Sequence, residues 1–321
     1  EIMSSDWSSD VCSSDLQQNA QGNGLDRRGD DCARLAAGGE LAISTDLFLE
    51  DVHFRRAYFE PEDIGYKALA VNVSDIAAVG GQPLGFTLDL MIPQGLDDDF
   101  WDRLISGMAA LAKEHRMALV GGDLSRGRCL GLAVTVWGRP APGASLMPRG
   151  GVRQGDVLFA CGDVGLARAG LLALEKLGPT AKESYPAACA AHLRPIPRVA
   201  EGQALAASGK VRGMMDLSDG LATDLPRFLD GTGLGADVDM APKALHPELL
   251  AFCEAEHHDP VEFAYLGGEC YALLAAAAPE DFEELREAIP SLTRLGTVSA
   301  EPGIRICGRP FATPGFDHFS T

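Results

Sequence analysis

Acidic residues follow several of the most apolar stretches of this chain, and each lies beside a serine, threonine or glycine. The set comprises Asp30 and Asp31 in RGDDCA, Asp46 in AISTD, Asp75 in NVSD, Asp123 in LVGGD, and Asp216 and Asp219 in MMDLSD. Residues at strand ends of an α/β sheet face the crevice in which such folds bind ligands. If four or more of these carboxylates converge, their mutual repulsion requires divalent cations between them.

Two of these acids have a simpler explanation when each is taken alone. Asp75 lies in KALAVNVSDIAAVGG, a predicted helix that is apolar nearly all round, with Lys67, Asn72 and Asp75 in one sector. A buried carboxylate needs a cation or several donors, so pairing with Lys67 is the alternative to metal binding. Asp219 is similarly placed to cap the helix that follows it. The number of acids in comparable positions favours a shared metal partner.

The donor types indicate which metal and which chemistry to expect. Oxygen ligands without a His or Cys cluster suit Mg²⁺, which commonly binds substrate phosphates in its remaining positions. The chain contains no GxxxxGK[ST] loop and no protein-kinase signature set. Gly121 and Gly122 before Asp123 would let the backbone approach a polyphosphate, and Arg149 offers a forked donor. We therefore predict in-line phosphoryl transfer in which metal ions neutralise most of the charge, without a protein nucleophile.

The composition argues against several other classes of protein. A formal charge of −19 argues against a nucleic-acid partner, because a basic face is missing. The eight cysteines are scattered singly, without zinc-type spacing, and are predicted to be reduced core residues. Apolar runs such as YALLAAAA are too short to span a bilayer, and no signal-peptide pattern is present. We therefore expect a cytoplasmic protein with no membrane partner.

The N-terminal segment EIMSSDWSSDVCSSDL is set apart from the remainder by its threefold Ser-Ser-Asp repeat. Residues 11–16 are what the tail of a common sequencing adapter would encode, so we interpret residues 1 to about 16 as an assembly artefact. The alternative is a genuine disordered polar tail. Residues 1–21 are accordingly left out of the fold prediction.

Strands and helices alternate along the rest of the chain. Strands are predicted over 40–46, 84–93, 117–123, 129–138 and 157–162, and helices over 61–80, 97–115, 166–177 and 196–208. The Pro- and Gly-rich stretch RPAPGASLMPRGGVRQGD indicates a domain boundary near residue 145. The predicted fold is α/β with α+β character, divided into domains 22–145 and 146–321.

Seven motifs together resemble the thiamine-monophosphate kinase family: GDDCA, AISTDLFLEDVHF, DIGYKALAVNVSDIAAVGGQP, LVGGDLSRG, MDLSDGLATDL, LGGECYALL and GFDHF. They cover residues 29–319 in the family's order. The wider superfamily includes aminoimidazole ribonucleotide synthetase and selenophosphate synthetase. The resemblance implies its two-domain architecture and a homodimer built on the N-terminal sheets. It also implies that ATP phosphorylates thiamine monophosphate to thiamine diphosphate with several Mg²⁺ ions.

The resemblance also implies roles for individual residues. The implied metal ligands are Asp31, Ser44, Thr45, Asp46, Asp75, Asp123, Asp216 and Asp219. The implied nucleotide contacts are Gly122, Asp123, Arg149 and Ser218, and the implied substrate contacts are His53, Glu269 and Phe316. Without the resemblance, His53 would be interpreted as a core histidine and Phe316 as ordinary terminal packing.

Two features depart from the family pattern. The motif GGEDYEL is replaced by GGECYAL, so Cys270 and Ala272 stand in place of two acids and Glu269 remains. The helix expected before GDD is also missing from the sequence. Two alternatives therefore stay open, namely another ATP-dependent synthetase of the superfamily and a catalytically inactive nucleotide-binding regulator. Selenophosphate synthesis is disfavoured, because no Cys followed by Lys lies in a glycine-rich N-terminal loop.

Overall fold

The first half of the protein forms a mixed seven-stranded sheet with two helices on one face. The computed structural model describes residues 39–311 and the backbone of residues 25–26 and 33–36. The strands are β1 (Leu25–Asp26), β2 (Ala33–Ala36), β3 (Glu40–Leu49), β4 (Gly81–Ile92), β5 (Ala118–Gly121), β6 (Leu124–Arg126) and β7 (Gly131–Pro140). Their order is β1-β2-β3-β7-β4-β5, and β6 also pairs with β4. The helices are α1 (Pro61–Ala78) and α2 (Asp98–Glu114).

The second half forms another seven-stranded sheet, in the order β14-β13-β10-β12-β8-β11-β9. Its strands are β8 (Val157–Cys161), β9 (Val211–Asp216), β10 (Gly235–Val238), β11 (Leu273–Ala277), β12 (Leu292–Ser299), β13 (Gly303–Ile306) and β14 (Arg309–Pro310). Its helices are α3 (Leu166–Leu177), α4 (Ala181–Ser184), α5 (Pro186–Leu193), α6 (Val199–Ser208), α7 (Leu221–Leu229), α8 (Pro247–Glu256), α9 (Pro260–Tyr265) and α10 (Pro279–Ala288). Strands β8 and β11 are buried at every residue, which explains their unbroken apolar sequences.

Helix α1 lies between the two halves and contacts both. It begins at Pro61, a favoured first helical residue, and the Asp63 carboxylate accepts a hydrogen bond from the Glu60 N–H at 3.3 Å. Fifteen of its 18 residues are buried, because it packs on β3, β4 and β7 of the first sheet and on α6 and β9 of the second half. Gly65 allows close approach to α2, since a Cβ there would lie 1.9 Å from the Leu104 carbonyl oxygen. The helix is thus the common structural support of both halves.

The α/β fold predicted from the sequence is confirmed, and the predicted elements differ from the observed ones mainly at their ends. Helix α1 ends at Ala78, and α6 begins at Val199, after the segment containing Pro195 and Pro197. The strand predicted over 117–123 is observed as the shorter β5, which ends at Gly121, and the separate strand β6 begins at Leu124. Among the helices described, none combines the length and apolar character needed to cross a bilayer.

The cysteine prediction is only partly correct. Cys161, Cys189 and Cys253 are buried, as expected of core residues. Cys129 and Cys307 are exposed, so the prediction of a core position was wrong for these two. Both lie in or beside turns after short strands, where periodicity gives no sign of burial. The six cysteines within the described residues are all free thiols.

Candidate active site

A cavity of about 380 Å³ lies where α1 meets the second half, a volume within the usual range of small-molecule sites. Four predicted metal ligands are in its wall, together with three residues predicted to contact nucleotide or substrate: Asp46, Asp75, Asp216, Asp219, His53, Ser218 and Glu269. They come from β3, α1, the loop after β3, the end of β9 and the segment before β11. The structure therefore brings together side chains that are more than 200 residues apart in the chain.

Successive side chains of β3 point to opposite faces of the sheet, so only some of its polar residues approach α1. Ser44 and Asp46 are on the face that packs towards α1, and the Ser44 hydroxyl donates a hydrogen bond to the Asp75 carboxylate. Burial raises the pKa of the Asp46 carboxyl, because its charged form is poorly solvated there. Thr45 is on the opposite face, where its hydroxyl donates to the Val134 carbonyl oxygen at 3.1 Å. The structure does not bring the Thr45 hydroxyl to the cavity.

Neighbouring residues of α1 connect the two halves at the cavity. The Ser74 hydroxyl is fully buried and donates to the Asp216 carboxylate at 2.7 Å. The next residue, Asp75, accepts the hydrogen bond from Ser44 in the first sheet. Because Ser74 and Asp75 are adjacent in α1, this part of the helix fixes the position of Asp216 relative to Asp75 and Ser44.

Asp219 is not a helix cap, so that alternative was wrong. The residue before α7 is Gly220, whose φ of +92° turns the chain between Asp219 and the helix, and no side-chain cap is formed. Asp224 instead accepts a hydrogen bond from the Asp219 N–H at 3.0 Å. Arg227 donates to the Asp219 carboxylate at 2.6 Å and to Asp224 at 3.1 Å. Arg227 lies one turn beyond Asp224 in α7. The sequence analysis missed its contact with Asp219 because the two residues are eight positions apart.

Lys67 lies at the centre of a buried network, and its observed partners differ from the alternative considered for it. Its ammonium group is completely buried, donates to Glu269 at 3.1 Å and lies 3.5 Å from His192 Nδ1. His192 Nδ1 in turn is 3.0 Å from the other Glu269 oxygen. Asp75 is eight residues further along α1, about 12 Å of helix rise away. The Lys67 ammonium group, considered above as a partner for Asp75, therefore pairs with Glu269 instead.

The charges in this network depend on one another. Burial opposes the ionisation of Glu269, but the Lys67 and His192 contacts outweigh it and hold the pKa of Glu269 well below its usual range. Burial lowers the pKa of Lys67, and the Glu269 charge counteracts that effect. Burial and the Lys67 charge also lower the pKa of His192, so the imidazole is neutral at physiological pH.

Tyr271 is a member of the cavity wall that the sequence analysis missed. Burial, followed by the negative charges of Glu269, Asp46, Asp216 and Asp75, raises its pKa well above the usual value, so the hydroxyl remains protonated. Glu269 and Tyr271 have left-handed backbones, with φ of +60° and +47°. Such conformations cost energy in residues with side chains and concentrate at functional sites. The available signal was the position of Tyr271 inside the GGECYAL motif.

Several predicted residues lie elsewhere. Asp123 is exposed in the loop between β5 and β6, and it is not in the cavity wall. Gly122 has a φ of +153°, and a Cβ there would lie 1.8 Å from the Leu88 carbonyl oxygen, so the loop requires glycine. Arg149 lies beside β9, where a Cβ on Gly213 would be 3.0 Å from the Arg149 carbonyl oxygen. Asp31 and Phe316 lie outside the described residues.

His53 is a half-buried member of the wall and not a core residue. Its Nδ1 accepts a hydrogen bond from the Leu49 N–H at 3.1 Å, so the neutral ring carries its proton on Nε2. The ring stacks on Phe48 at a centroid distance of 5.9 Å. These contacts fix the orientation of the ring at the cavity.

The donors of the wall fit hard divalent cations. The cavity is lined by six carboxylates and two arginines. Arg55 pairs with Glu175, and Arg168 donates to the Phe263 carbonyl oxygen at 3.0 Å. Within residues 39–311, no three Asp, Glu, His or Cys side chains are close enough to enclose a metal ion. Mg²⁺ commonly takes one or two carboxylates and completes its shell with phosphate and water oxygens, so the arrangement suits it.

Both halves of the chain match domains of one known protein family. Residues 29–139 match the N-terminal domain of AIR synthase related protein, and residues 153–307 match its C-terminal domain. The two matched domains, each with its sheet, define the chain as an AIR synthase related protein.

Curated relatives narrow this assignment. Thiamine-monophosphate kinases of Aquifex aeolicus and Bacillus subtilis are 31% and 33% identical to the chain, each over 91% of it and 92% of the relative. A solved structure described as AaThiL complexed with AMPPCP and TMP superposes with a TM-score of 0.84 at 29% identity, covering 95% of this chain and 96% of that one. The thiamine-monophosphate kinase from Stenotrophomonas maltophilia gives 0.76 at 30% identity, covering 92% and 95%. The chain belongs to the thiamine-monophosphate kinase family.

The two departures from the family motif lie behind the cavity wall. Ala272 is fully buried, and the Cys270 thiol is directed at the Gly267 carbonyl oxygen, 3.5 Å away. Gly268, Glu269 and Tyr271 are in the wall, whereas Cys270 and Ala272 are not. The substitutions therefore affect the packing of this segment and leave its cavity-facing side chains in place.

Proposed function

We propose that this protein transfers the γ-phosphoryl group of ATP to the phosphate of thiamine monophosphate, producing ADP and thiamine diphosphate. The observation that supports this most strongly is the convergence of Asp46, Asp75, Asp216 and Asp219 on one cavity. The chain belongs to the kinase family named for this acceptor. AMPPCP, the ligand named with the AaThiL structure, is an analogue of ATP with a methylene bridge.

The four aspartates would hold Mg²⁺ ions, which when bound neutralise the phosphates and align them for in-line transfer. The wall needs such cations to admit a polyphosphate, because its six carboxylates outnumber its two arginines. A phosphate oxygen of the acceptor is itself the nucleophile, so no side chain has to attack. The Tyr271 hydroxyl is protonated and lies in the wall, where it is suited to donating a hydrogen bond to a phosphate oxygen.

The remaining predicted contacts are part of the proposal. Ser218 in the wall, with Gly122, Asp123 and Arg149 from loops outside it, would contact the nucleotide. His53, Glu269 and Phe316 would contact the acceptor. Asp31, Ser44 and Asp123 would complete the set of metal ligands, whereas the Thr45 hydroxyl lies on the other face of β3 and is not proposed as one.

We also propose a cytoplasmic homodimer, with the chain divided near residue 145. Support for the dimer comes from the face of the first sheet opposite α1 and α2, and from its edge. Leu47, Leu119, Val120 and Leu124 are between 52% and 69% exposed there, and such apolar exposure is typical of an interface.

A direct assay tests the proposed function. Purified protein is incubated with ATP, Mg²⁺ and thiamine monophosphate, and thiamine diphosphate and ADP are quantified by chromatography. We expect one thiamine diphosphate for each ADP. Binding of ATP with Mg²⁺ but no thiamine diphosphate would refute the proposal. Calorimetric titration with each substrate alone then distinguishes the alternatives, because an inactive regulator should bind ATP and ignore thiamine monophosphate.

A further inference from the structure

The network of Lys67, His192 and Glu269 connects three distant parts of the chain. Lys67 is in the middle of α1, His192 is near the end of α5, and Glu269 lies in the segment before β11. The Lys67 and His192 side chains are 0% and 2% exposed and the Glu269 side chain is 28% exposed. His192 and Glu269 both line the cavity, whereas Lys67 does not. Both Glu269 oxygens are engaged, one by each partner, so the carboxylate is held from two sides.

Stability alone does not account for this arrangement. A buried ion pair loses much of its Coulomb energy to desolvation, and apolar residues of similar volume often stabilise a fold as well or better. The surroundings here are apolar and aromatic, with the Phe59 ring 5.5 Å from the Lys67 ammonium and 5.4 Å from the His192 ring. What a charged network adds to such a site is a defined geometry for the groups attached to it.

The group attached to this network is the strained segment that carries Tyr271. The Glu269 N–H donates to the Ser218 carbonyl oxygen at 2.6 Å, and the Tyr271 N–H donates to that of Leu217 at 2.9 Å. Fixing the Glu269 side chain therefore also fixes Tyr271 and the turn between Asp216 and Asp219. Tyr271, Ser218 and Asp219 line the same cavity as Asp46 and Asp75 of the first half.

We propose that Lys67 and His192 are positioning residues, which clamp Glu269 so that the 267–271 segment holds Tyr271 and the Ser218 turn at the phosphoryl-transfer site. This inference rests on the proposed function. It concerns Lys67, which lies outside the cavity wall, and His192, whose side chain lines the wall but is almost fully buried. Their effect on the reaction passes through Glu269 and the left-handed backbone that Glu269 anchors.

The test compares two replacements of His192 with Lys67→Met. In His192→Asn the amide nitrogen can occupy the place of Nδ1 and still donate to Glu269, whereas His192→Leu has similar volume but no donor. Arg194→Gln is the matched control, because Arg194 also joins the second half to α1, through Asp63, without entering the cavity wall. For each variant we measure thermal unfolding, kcat, the KM of both substrates, and hydrogen exchange of the Glu269 and Tyr271 amides.

We expect His192→Leu and Lys67→Met to lower kcat by about ten- to a hundredfold while the KM for ATP stays within about threefold. Both should also accelerate exchange of the Glu269 and Tyr271 amides. His192→Asn should retain kcat within about threefold and keep these amides protected. Arg194→Gln should lower thermal stability without lowering kcat.

Three results would overturn the inference: wild-type kcat in folded His192→Leu, an equal loss in His192→Asn, or an equal loss in Arg194→Gln. If the wild-type protein does not phosphorylate thiamine monophosphate, the proposed function fails separately. In that case the amide exchange still decides whether the network clamps the segment, and unchanged exchange in His192→Leu would reject it.

Discussion

Replacing Asp224 by asparagine should change how the stability of the protein depends on pH. Asp224 is completely buried in α7, where it accepts hydrogen bonds from the Asp219 N–H and from Arg227. Burial, and then the negative charge of Asp219, raises its pKa from 3.8 to about 7, against the opposing effect of Arg227 and two backbone N–H groups. The folded protein therefore binds a proton that the unfolded chain releases at much lower pH.

The sign and size follow from this difference. Because the pKa is raised in the folded state, the stability contributed by Asp224 is complete below pH 4 and is lost as the pH rises through 7. At about 1.4 kcal/mol for each pH unit, the full loss is roughly 4 kcal/mol. Asparagine has the same shape and cannot ionise. Asp224→Asn should therefore be nearly neutral below pH 4, stabilising by roughly 1.5 kcal/mol at pH 5 and by roughly 4 kcal/mol above pH 7.

Urea unfolding followed by circular dichroism, between pH 5 and 8.5 with a chelator to exclude metal ions, measures the effect. We expect the difference in free energy of unfolding between variant and wild type to increase up to about pH 7 and to stay constant above it. The exposed Asp239, which pairs with Arg294, provides the matched control as Asp239→Asn. Parallel curves for wild type and Asp224→Asn would refute the argument, because they would show that Asp224 ionises alike in both states.

Three further predictions concern two proposed metal ligands, a buried hydrogen bond and the loop that contains Gly122. Asp75→Asn and Asp219→Asn should each lower kcat by about a hundredfold or more, and near-normal rates in both would exclude them as metal ligands. Ser74→Ala removes a buried hydrogen bond to the Asp216 carboxylate. It should cost about 1.5–3 kcal/mol in urea unfolding, and an unchanged midpoint would contradict the contact. Gly122→Ala places a methyl group 1.8 Å from a backbone carbonyl of β4. It should weaken ATP binding in calorimetry if this loop contacts the nucleotide, and unaltered affinity would place the nucleotide elsewhere.

Most of the fold and part of the cavity could be predicted from local sequence. Helices and strands were identified because apolar periodicity reflects burial, and α1 could be predicted to be buried because it is apolar on nearly every side. The convergence of Asp46, Asp75, Asp216 and Asp219 was predicted from acids beside apolar runs. Only Asp216 and Asp219 lie at or after the end of an element, whereas Asp46 lies within β3 and Asp75 within α1.

The parts that were missed depend on contacts between distant segments. Thr45 was grouped with Ser44 and Asp46, although the twofold period of a strand turns its side chain to the opposite face. His192 lies in an alanine-rich helix with no chemical motif, and its carboxylate partner is 77 positions away. Lys67 was visible as an odd residue in an apolar helix, but its partner Glu269 could not be identified without the packing of both halves.

The position of α1 has a consequence for how ligands enter and leave. Ser74 and Lys67 attach this one helix to the second half, while Asp75 attaches it to the first sheet. Separating the two halves by a hinge motion would break these contacts and leave several charged groups without their partners. Wide opening is therefore energetically costly. Exchange of substrate and product therefore has to use small motions at the rim, where the exposed Val52 and Arg55 lie.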